Sequence, residues 1–271
     1  MTRPVRLIGL PTDSNSSFLR GAAAGPPAIR AALGSEHSNA FSESGLEIGV
    51  DIAIEDSGDL PLTETPSDDA LIGAAIARAC ADRAVPIALG GDHAVSAPIL
   101  AAIHAAHGPV DILHIDAHPD LYDDFGGNPR SHASPFARIM EAGHARRLVQ
   151  VGIRTLNRHQ REQAARFGVE IVPMRDFSPN DIPVLNGPLY ISIDMDGFDP
   201  AVAPGVAHLE PGGLTVREVL AILDRQIAPL IGADIVELNP ERDIHGVTAI
   251  LAAKLVRELA ALHHRTVKQG A

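Results

Sequence analysis

Two kinds of hydrophobic pattern follow one another along this chain. Short, almost continuous apolar runs are typical of buried strands, and longer stretches with apolar residues every three or four positions are typical of helices. Strands are predicted at 5–10, 48–54, 85–93, 110–118, 147–153, 169–173, 189–196 and 231–240. Helices are predicted at 26–32, 67–83, 96–106, 134–141, 158–167, 215–227 and 247–262.

This alternation favours an α/β protein with three layers, in which helices cover both faces of a central, mostly parallel sheet. The chain has 271 residues, and its apolar fraction of 45% can supply a substantial core. No internal repeat, low-complexity block or linker divides the sequence. We therefore expect a single domain over residues 1–271.

Composition narrows the possible partners. The net charge is −12 and no basic run appears, which argues against nucleic acid as a partner. No apolar run approaches membrane-spanning length, and the first residues lead straight into a predicted strand, so we expect a soluble, cytoplasmic protein with no membrane contact. The single cysteine, Cys80, cannot form an internal disulfide and is expected to be a small packed residue.

Polar residues follow one apolar strand in a telling arrangement. Asp116, His118 and Asp120 occupy alternate positions, so in an extended chain their side chains point to one face. Two carboxylates and an imidazole that converge beside a buried strand are costly unless a positive charge lies among them. A metal ion is the obvious candidate.

Other strands deliver similar groups to the same edge, because ligands in sheets of this kind bind outside the carboxyl ends of the strands. One metal ion cannot use all of the candidate ligands, but two ions can share them if one carboxylate from each Asp-rich segment bridges. The candidate metal ligands are His93, Asp116, His118, Asp120, Asp194 and Asp196. Oxygen-rich ligands with one imidazole per ion suit Mn²⁺, and such pairs lower the pKa of a shared water, which indicates hydrolysis.

Three motifs resemble the signatures of the ureohydrolases, the family of arginases and agmatinases. They are Gly90-Gly91-Asp92-His93, Asp116-Ala117-His118-Pro119-Asp120, and the segment from Ser192 to Pro200. The segments NSSFLRG, SHASPFARIMEAG, APGVAHLEPGGLT and GADIVELNPERD look most like the plant-type arginases and their bacterial relatives. The resemblance covers nearly the whole chain and implies an arginase-like fold.

The resemblance implies a role for each ligand. His93 and Asp120 would complete one Mn²⁺ site, His118 and Asp196 the other, and Asp116 and Asp194 would bridge two ions per subunit. Asp120 would pass a proton to the departing amine. Glu237 matches the acidic residue that grips the guanidinium, and His132 matches the loop histidine that shuttles protons or contacts substrate. The family also implies a homo-oligomer, a trimer or a hexamer.

The substrate is less defined than the chemistry. L-arginine is the first choice, with agmatine or another guanidino compound such as 4-guanidinobutyrate as the alternative, because Tyr122 suits both plant-type arginases and agmatinases. Asn128 and Arg130 lie in a loop that could meet an α-carboxylate. A mononuclear zinc deacetylase and a non-catalytic metal protein are the competing readings. His114 is expected to be packed beside the ligands rather than to be one of them.

Overall fold

Eight parallel strands form the central sheet of the computed structural model, which describes residues 3–269. The strands are β1 (Val5–Leu10), β2 (Ile54–Asp59), β3 (Val85–Gly90), β4 (Val110–Ile115), β5 (Ala145–Ile153), β6 (Glu170–Pro173), β7 (Leu189–Asp194) and β8 (Leu230–Val236). The α-helices are α1 (Gly25–Leu33), α2 (Asp68–Ala81), α3 (Ser96–His107), α4 (Pro135–Glu141), α5 (Arg158–Phe167), α6 (Val216–Arg225) and α7 (Val247–Gln269).

Helices cover both faces of the sheet and divide the core in two. One apolar cluster packs α1, α6 and α7 against residues such as Leu7, Ile87 and Leu113. The other packs α2, α3 and α4 against the opposite face, where Ala88 and Ile112 point. Alternate residues of one strand therefore serve opposite cores, as strand geometry requires. The predicted three-layer α/β/α architecture is confirmed.

The strand order is β2-β1-β3-β8-β7-β4-β5-β6, and every neighbouring pair is parallel. The four central strands β3, β8, β7 and β4 are buried along their whole length. Their carboxyl ends lie side by side at the middle of one edge of the sheet. Loops that leave these four ends therefore meet at one place, although they are far apart in the sequence.

The strand predicted at 48–54 was wrong. Residues 48 and 52 form only an isolated bridge, and β2 follows at Ile54–Asp59. Its sequence, IEDSGD, is polar because β2 is an edge strand that is largely exposed, so the apolar pattern pointed to the preceding segment. The pairing with β1 decides the position of this strand.

Local signals explain several helix ends. Thr215 accepts the backbone N–H of Glu218, whose carboxylate in turn accepts the N–H of Thr215, so a capping box begins α6. Asn157 caps α5 by accepting the N–H of Gln160. Among residues 3–269, no helix has the length and apolar character needed to cross a membrane.

Candidate metal centre and active site

The structure brings the predicted metal ligands together at the carboxyl ends of β3, β4 and β7. The six side chains, called the candidate metal cluster below, are His93, Asp116, His118, Asp120, Asp194 and Asp196. All except His118 are buried. Each follows or ends a central strand, so the order of the strands in the sheet creates the cluster.

One half of the candidate metal cluster surrounds the His93 imidazole. Its Nδ1 lies 3.1 Å from Asp116 Oδ2, 3.2 Å from Asp120 Oδ2 and 3.1 Å from Asp194 Oδ2. The imidazole is fully buried and packs edge-on against the ring of Phe136, with centroids 5.3 Å apart. A single nitrogen therefore faces three carboxylates that come from two different strands.

The other half surrounds His118, whose Nδ1 lies 3.1 Å from Asp196 Oδ2 and 3.4 Å from Asp116 Oδ1. Asp116 thus directs one oxygen to His93 and the other to His118. His114 lies fully buried beneath this carboxylate, with Nε2 2.8 Å from Asp116 Oδ2. One carboxylate therefore faces both imidazoles.

The electrostatics of the candidate metal cluster fit a divalent cation. Burial raises the pKa of Asp194 well above its ordinary value, and the neighbouring charges of Asp196 and Asp116 raise it further. Burial alone would lower the pKa of His118, but the same two aspartates raise it to about 12. Among the side chains of residues 3–267, no Lys or Arg forms an ion pair with the four aspartates. The four carboxylates therefore need another positive charge, and carboxylate oxygens together with imidazole nitrogens are ligands that suit a divalent metal ion.

Glu237 and His132 form a hydrogen-bonded pair beside the candidate metal cluster. Glu237 Oε1 accepts the backbone N–H of His93 at 2.9 Å and lies 2.8 Å from His132 Nδ1. The Nε2 atom of His132 lies 2.8 Å from the hydroxyl of Ser17. Burial lowers the pKa of His132, but the Glu237 carboxylate outweighs this and raises it to about 9.

Unusual backbone conformations occur at two of these residues. Asp120 has φ 51° and Glu237 has φ 62°, in the left-handed region that non-glycine residues rarely adopt. Gly91 allows the chain before His93 to pass close to the first loop, since a Cβ atom at this position would lie 1.7 Å from the Thr12 carbonyl oxygen. The surrounding fold therefore imposes the positions of these side chains.

A cavity of about 210 Å³ opens onto His118, Asp120, Asp194, Asp196, His132 and Glu237. Aromatic groups form part of its wall. The Tyr122 ring stacks on His159 at 5.5 Å, and its hydroxyl accepts a hydrogen bond from the amide of Asn157. His208 lies on another side, with its ring 5.4 Å from that of His132. The cavity thus connects the candidate metal cluster with the Glu237–His132 pair.

Asn128 and Arg130 do not line this cavity. Asn128 donates its amide to the side chain of Asn15 at 3.1 Å. The guanidinium of Arg130 binds both carboxylate oxygens of Asp69, one of them at 2.7 Å. Their polar groups contact other side chains in this structure, and their predicted role in binding the substrate stays a prediction.

Several residues that support the site were missed from the sequence. Arg154 donates from Nη2 to the main-chain carbonyl of Asp196 at 2.7 Å and from Nε to that of Glu210 at 2.9 Å, and so ties two site loops together. Ser17 and His208 belong to segments that resemble the family, but nothing in their spacing indicated contact with His132. For Arg154, the only signal in the sequence was its position directly after β5.

Comparisons with known proteins agree with this geometry. The sequence model of the arginase family matches residues 3–261. "Arginase 1, mitochondrial" of Arabidopsis thaliana is 50% identical over 273 residues, covering 94% of this chain and 80% of that protein. The agmatinase of Halalkalibacterium halodurans is 34% identical over 262 residues, covering 93% and 90%. The solved structure of arginase from Medicago truncatula matches with a TM-score of 0.92 at 43% identity, covering 97% of this chain and 88% of that one.

Fold and site together define an α/β protein with a candidate metal centre at the carboxyl edge of its parallel sheet. This chain belongs to the arginase family. The family membership indicated by the three sequence motifs is thereby confirmed.

Proposed function

We propose that this protein is a metal-dependent hydrolase that cleaves L-arginine to L-ornithine and urea. The observation that carries the proposal is that four members of the candidate metal cluster line one cavity together with Glu237. A planar guanidinium with forked donors prefers a carboxylate, and Glu237 presents one beside the cluster. The similarity to proteins named arginase, one of them 50% identical to this chain, favours arginine as the substrate.

The proposed cofactor is a pair of Mn²⁺ ions per subunit. His93 and Asp120 would complete one site, His118 and Asp196 the other, and Asp116 and Asp194 would bridge. The two oxygens of Asp116, which face different imidazoles, support the bridging role. Bound together, two such ions would supply a hydroxide nucleophile at neutral pH.

The protein's own residues have defined tasks in this proposal. Glu237 holds the guanidinium through Oε2, since Oε1 already accepts from the backbone of His93 and faces His132. Asp120 lines the same cavity and carries a proton to the departing amine. His132, held between Glu237 and Ser17, exchanges protons with solvent or contacts the substrate. Tyr122 and His208 form part of the wall around this cavity.

Agmatine is the second candidate substrate, and one observation favours it. Within the described part of the chain, no Arg or Lys lines the cavity, so no fixed cation there would pair with an α-carboxylate. Arg130 would have to leave Asp69 to play this part. Its role and that of Asn128 in binding substrate therefore remain predictions, which a comparison of substrates tests.

The decisive experiment measures urea release from arginine, agmatine and 4-guanidinobutyrate side by side, together with the number of manganese ions bound per subunit. We expect arginine to be preferred and two ions to be bound. Urea from agmatine alone would overturn the choice of substrate, and no urea from any of the three would overturn the proposed function.

A variant pair separates catalysis from a purely structural metal site. Asp120→Ala should lower kcat by about 100-fold or more, because a group that transfers protons is lost. The matched control is Asp224→Ala, on the exposed side of α6, which should leave turnover unchanged. An unchanged kcat in Asp120→Ala would overturn the role of Asp120 in proton transfer. If the wild-type protein releases no urea and Asp120→Ala lowers only the melting temperature, the non-catalytic hypothesis is correct.

The wider setting of the protein completes the proposal. We infer one domain over residues 1–271, a homo-oligomeric assembly of three or six copies, and a cytoplasmic location. The relatives from plants carry the words mitochondrial or chloroplastic in their names, which describes those proteins. Light scattering coupled to size exclusion would measure the number of subunits.

A further inference from the structure

Asp234 is a buried carboxylate that the proposed chemistry does not use. It lies in the middle of β8 and is fully buried. Three hydroxyl groups donate to it: Ser192 at 2.6 Å, Tyr190 at 2.7 Å and Ser96 at 2.8 Å. No described side chain of Lys, Arg or His, over residues 3–267, forms an ion pair with it. Hydroxyl donors satisfy the carboxylate, so a metal ion is not needed to explain its burial.

One of these hydroxyls connects Asp234 to the candidate metal cluster. The Ser192 oxygen lies 2.6 Å from Asp234 Oδ1 and 2.9 Å from His93 Nε2. Ser192 is the donor in its hydrogen bond to Asp234 Oδ1, so its single hydroxyl proton points toward Asp234. The Ser192 oxygen is then left as an acceptor, and His93 Nε2 must carry a proton to donate to it.

This order of protons determines which nitrogen of His93 is free. In a neutral imidazole with a proton on Nε2, the Nδ1 atom holds a lone pair. That Nδ1 atom is the one that faces Asp116, Asp120 and Asp194 at 3.1 to 3.2 Å. Metal ions bind only the unprotonated nitrogen of an imidazole, and a hydrogen bond from the other nitrogen orients the ring.

We propose that Asp234 is a positioning residue that acts through Ser192 to hold His93 in the tautomer with Nδ1 free for a metal ion. The inference rests on the proposed metal centre. Tyr190 and Ser96 hold the carboxylate in place from β7 and α3, through Oδ2. Asp234 and Ser192 therefore control the ligand, whereas Tyr190 supports only the carboxylate.

Asp234→Asn tests this role with almost no change in shape. Two hydroxyls donate to the Oδ2 side, so the amide oxygen of the variant would take that side and its NH₂ group would face Ser192. Ser192 would then accept from the amide and could donate to His93 Nε2, which favours a proton on Nδ1. We expect the Kd for manganese, measured by calorimetry on the purified protein, to rise about 10- to 100-fold.

Two further variants separate this role from general support of the core. Ser192→Ala should weaken manganese binding as much as Asp234→Asn, and the double variant should show no additional loss, because both changes break one chain of hydrogen bonds. Tyr190→Phe removes a hydroxyl from the same carboxylate but leaves the link to Ser192 intact. It should lower the melting temperature while the Kd for manganese stays within about threefold of wild type.

The outcomes are distinct. A wild-type Kd in Asp234→Asn overturns the inference, as does an equal loss of affinity in Tyr190→Phe, which would indicate a packing effect. If Asp234→Asn does not fold, the Kd of Ser192→Ala decides in the same way. A wild-type protein that binds no manganese would instead overturn the proposed metal centre, so the two failures are distinguishable.

Discussion

Replacement of Glu237 by Gln tests how the site recognises a guanidinium. Glu237 Oε1 accepts the backbone N–H of His93 at 2.9 Å, and this donor cannot be reversed. The amide oxygen of the variant must therefore occupy the Oε1 position, where it also meets His132. The NH₂ group then takes the place of Oε2, where Glu237 receives no hydrogen bond from any described residue, and its donors would face the donors of the substrate.

The expected loss follows from these contacts. A hydrogen bond to a charged group contributes about 1.5–3 kcal/mol, and the opposed donors add about 1 kcal/mol of unmet hydrogen bonding. The total of about 2.5–4 kcal/mol corresponds to a fall in kcat/KM of about 60- to 700-fold. Glu237→Gln keeps the size and the main-chain contact of the side chain, so the folded structure and metal binding should change little.

Steady-state urea release at saturating manganese provides the assay, with the metal content of each sample measured in parallel. Glu162→Gln, on the exposed surface of α5, is the matched control and should retain wild-type kinetics. A kcat/KM within threefold of wild type in Glu237→Gln would refute this account of recognition. A loss of bound metal that matches the loss of activity would also refute it, because Glu237 would then act through the metal site.

Three further outcomes are expected. Arg154→Met leaves the carbonyls of Asp196 and Glu210 without their charged donor and should destabilise the fold by about 2–4 kcal/mol. Calorimetry should show a fall of about 5–15 °C in melting temperature. An unchanged melting temperature would show that the fold does not depend on these contacts of Arg154. Removal of divalent metal with a chelator should abolish urea release and lower the melting temperature. Compared with protein in manganese at 100 times the Kd, the metal-free protein should lose about 2.7 kcal/mol of unfolding free energy, and added manganese should restore both activity and stability. Burial raises the pKa of Asp111, but its hydrogen bonds to Arg146 and Gly187 outweigh burial and hold the pKa below 3.8. The ionised carboxylate therefore contributes to the free energy of unfolding above pH 3.8, and this contribution is lost as the pH falls through the lowered pKa. Asp111→Asn should accordingly cost about 1–3 kcal/mol in urea unfolding at pH 7 and progressively less below pH 3.8, and a gap that is independent of pH would contradict this reasoning.

The sequence alone determined the elements that place the candidate metal cluster. Asp116, His118 and Asp120 leave one buried strand at alternate positions, and Asp194 and Asp196 leave another in the same way. Near-continuous apolar runs indicate parallel strands, and parallel strands bring their carboxyl ends to one edge. Local pattern and one general rule of the fold were therefore enough to predict that these side chains converge.

Only the tertiary structure decided which distant residues pair. Arg130 contacts Asp69, 61 positions away, and Arg154 contacts the carbonyl of Glu210, 56 positions away. The polar strand β2 was recognisable only from its place beside β1 at the edge of the sheet. An exposed edge strand needs no apolar pattern, and a long side chain can reach many partners, so neither choice is written in local sequence.

The buried carboxylate of Asp234 also shows the difference between what the sequence and what the tertiary structure determine. An aspartate inside an apolar strand was visible at position 234, but its meaning depends on β7, which lies beside β8 and presents Ser192 and Tyr190 to it. The order of the strands turns a costly buried charge into a satisfied acceptor that orders the protons around His93. The sequence determined which groups could bind a metal ion, and the packing of the sheet decided which atoms of those groups face one another.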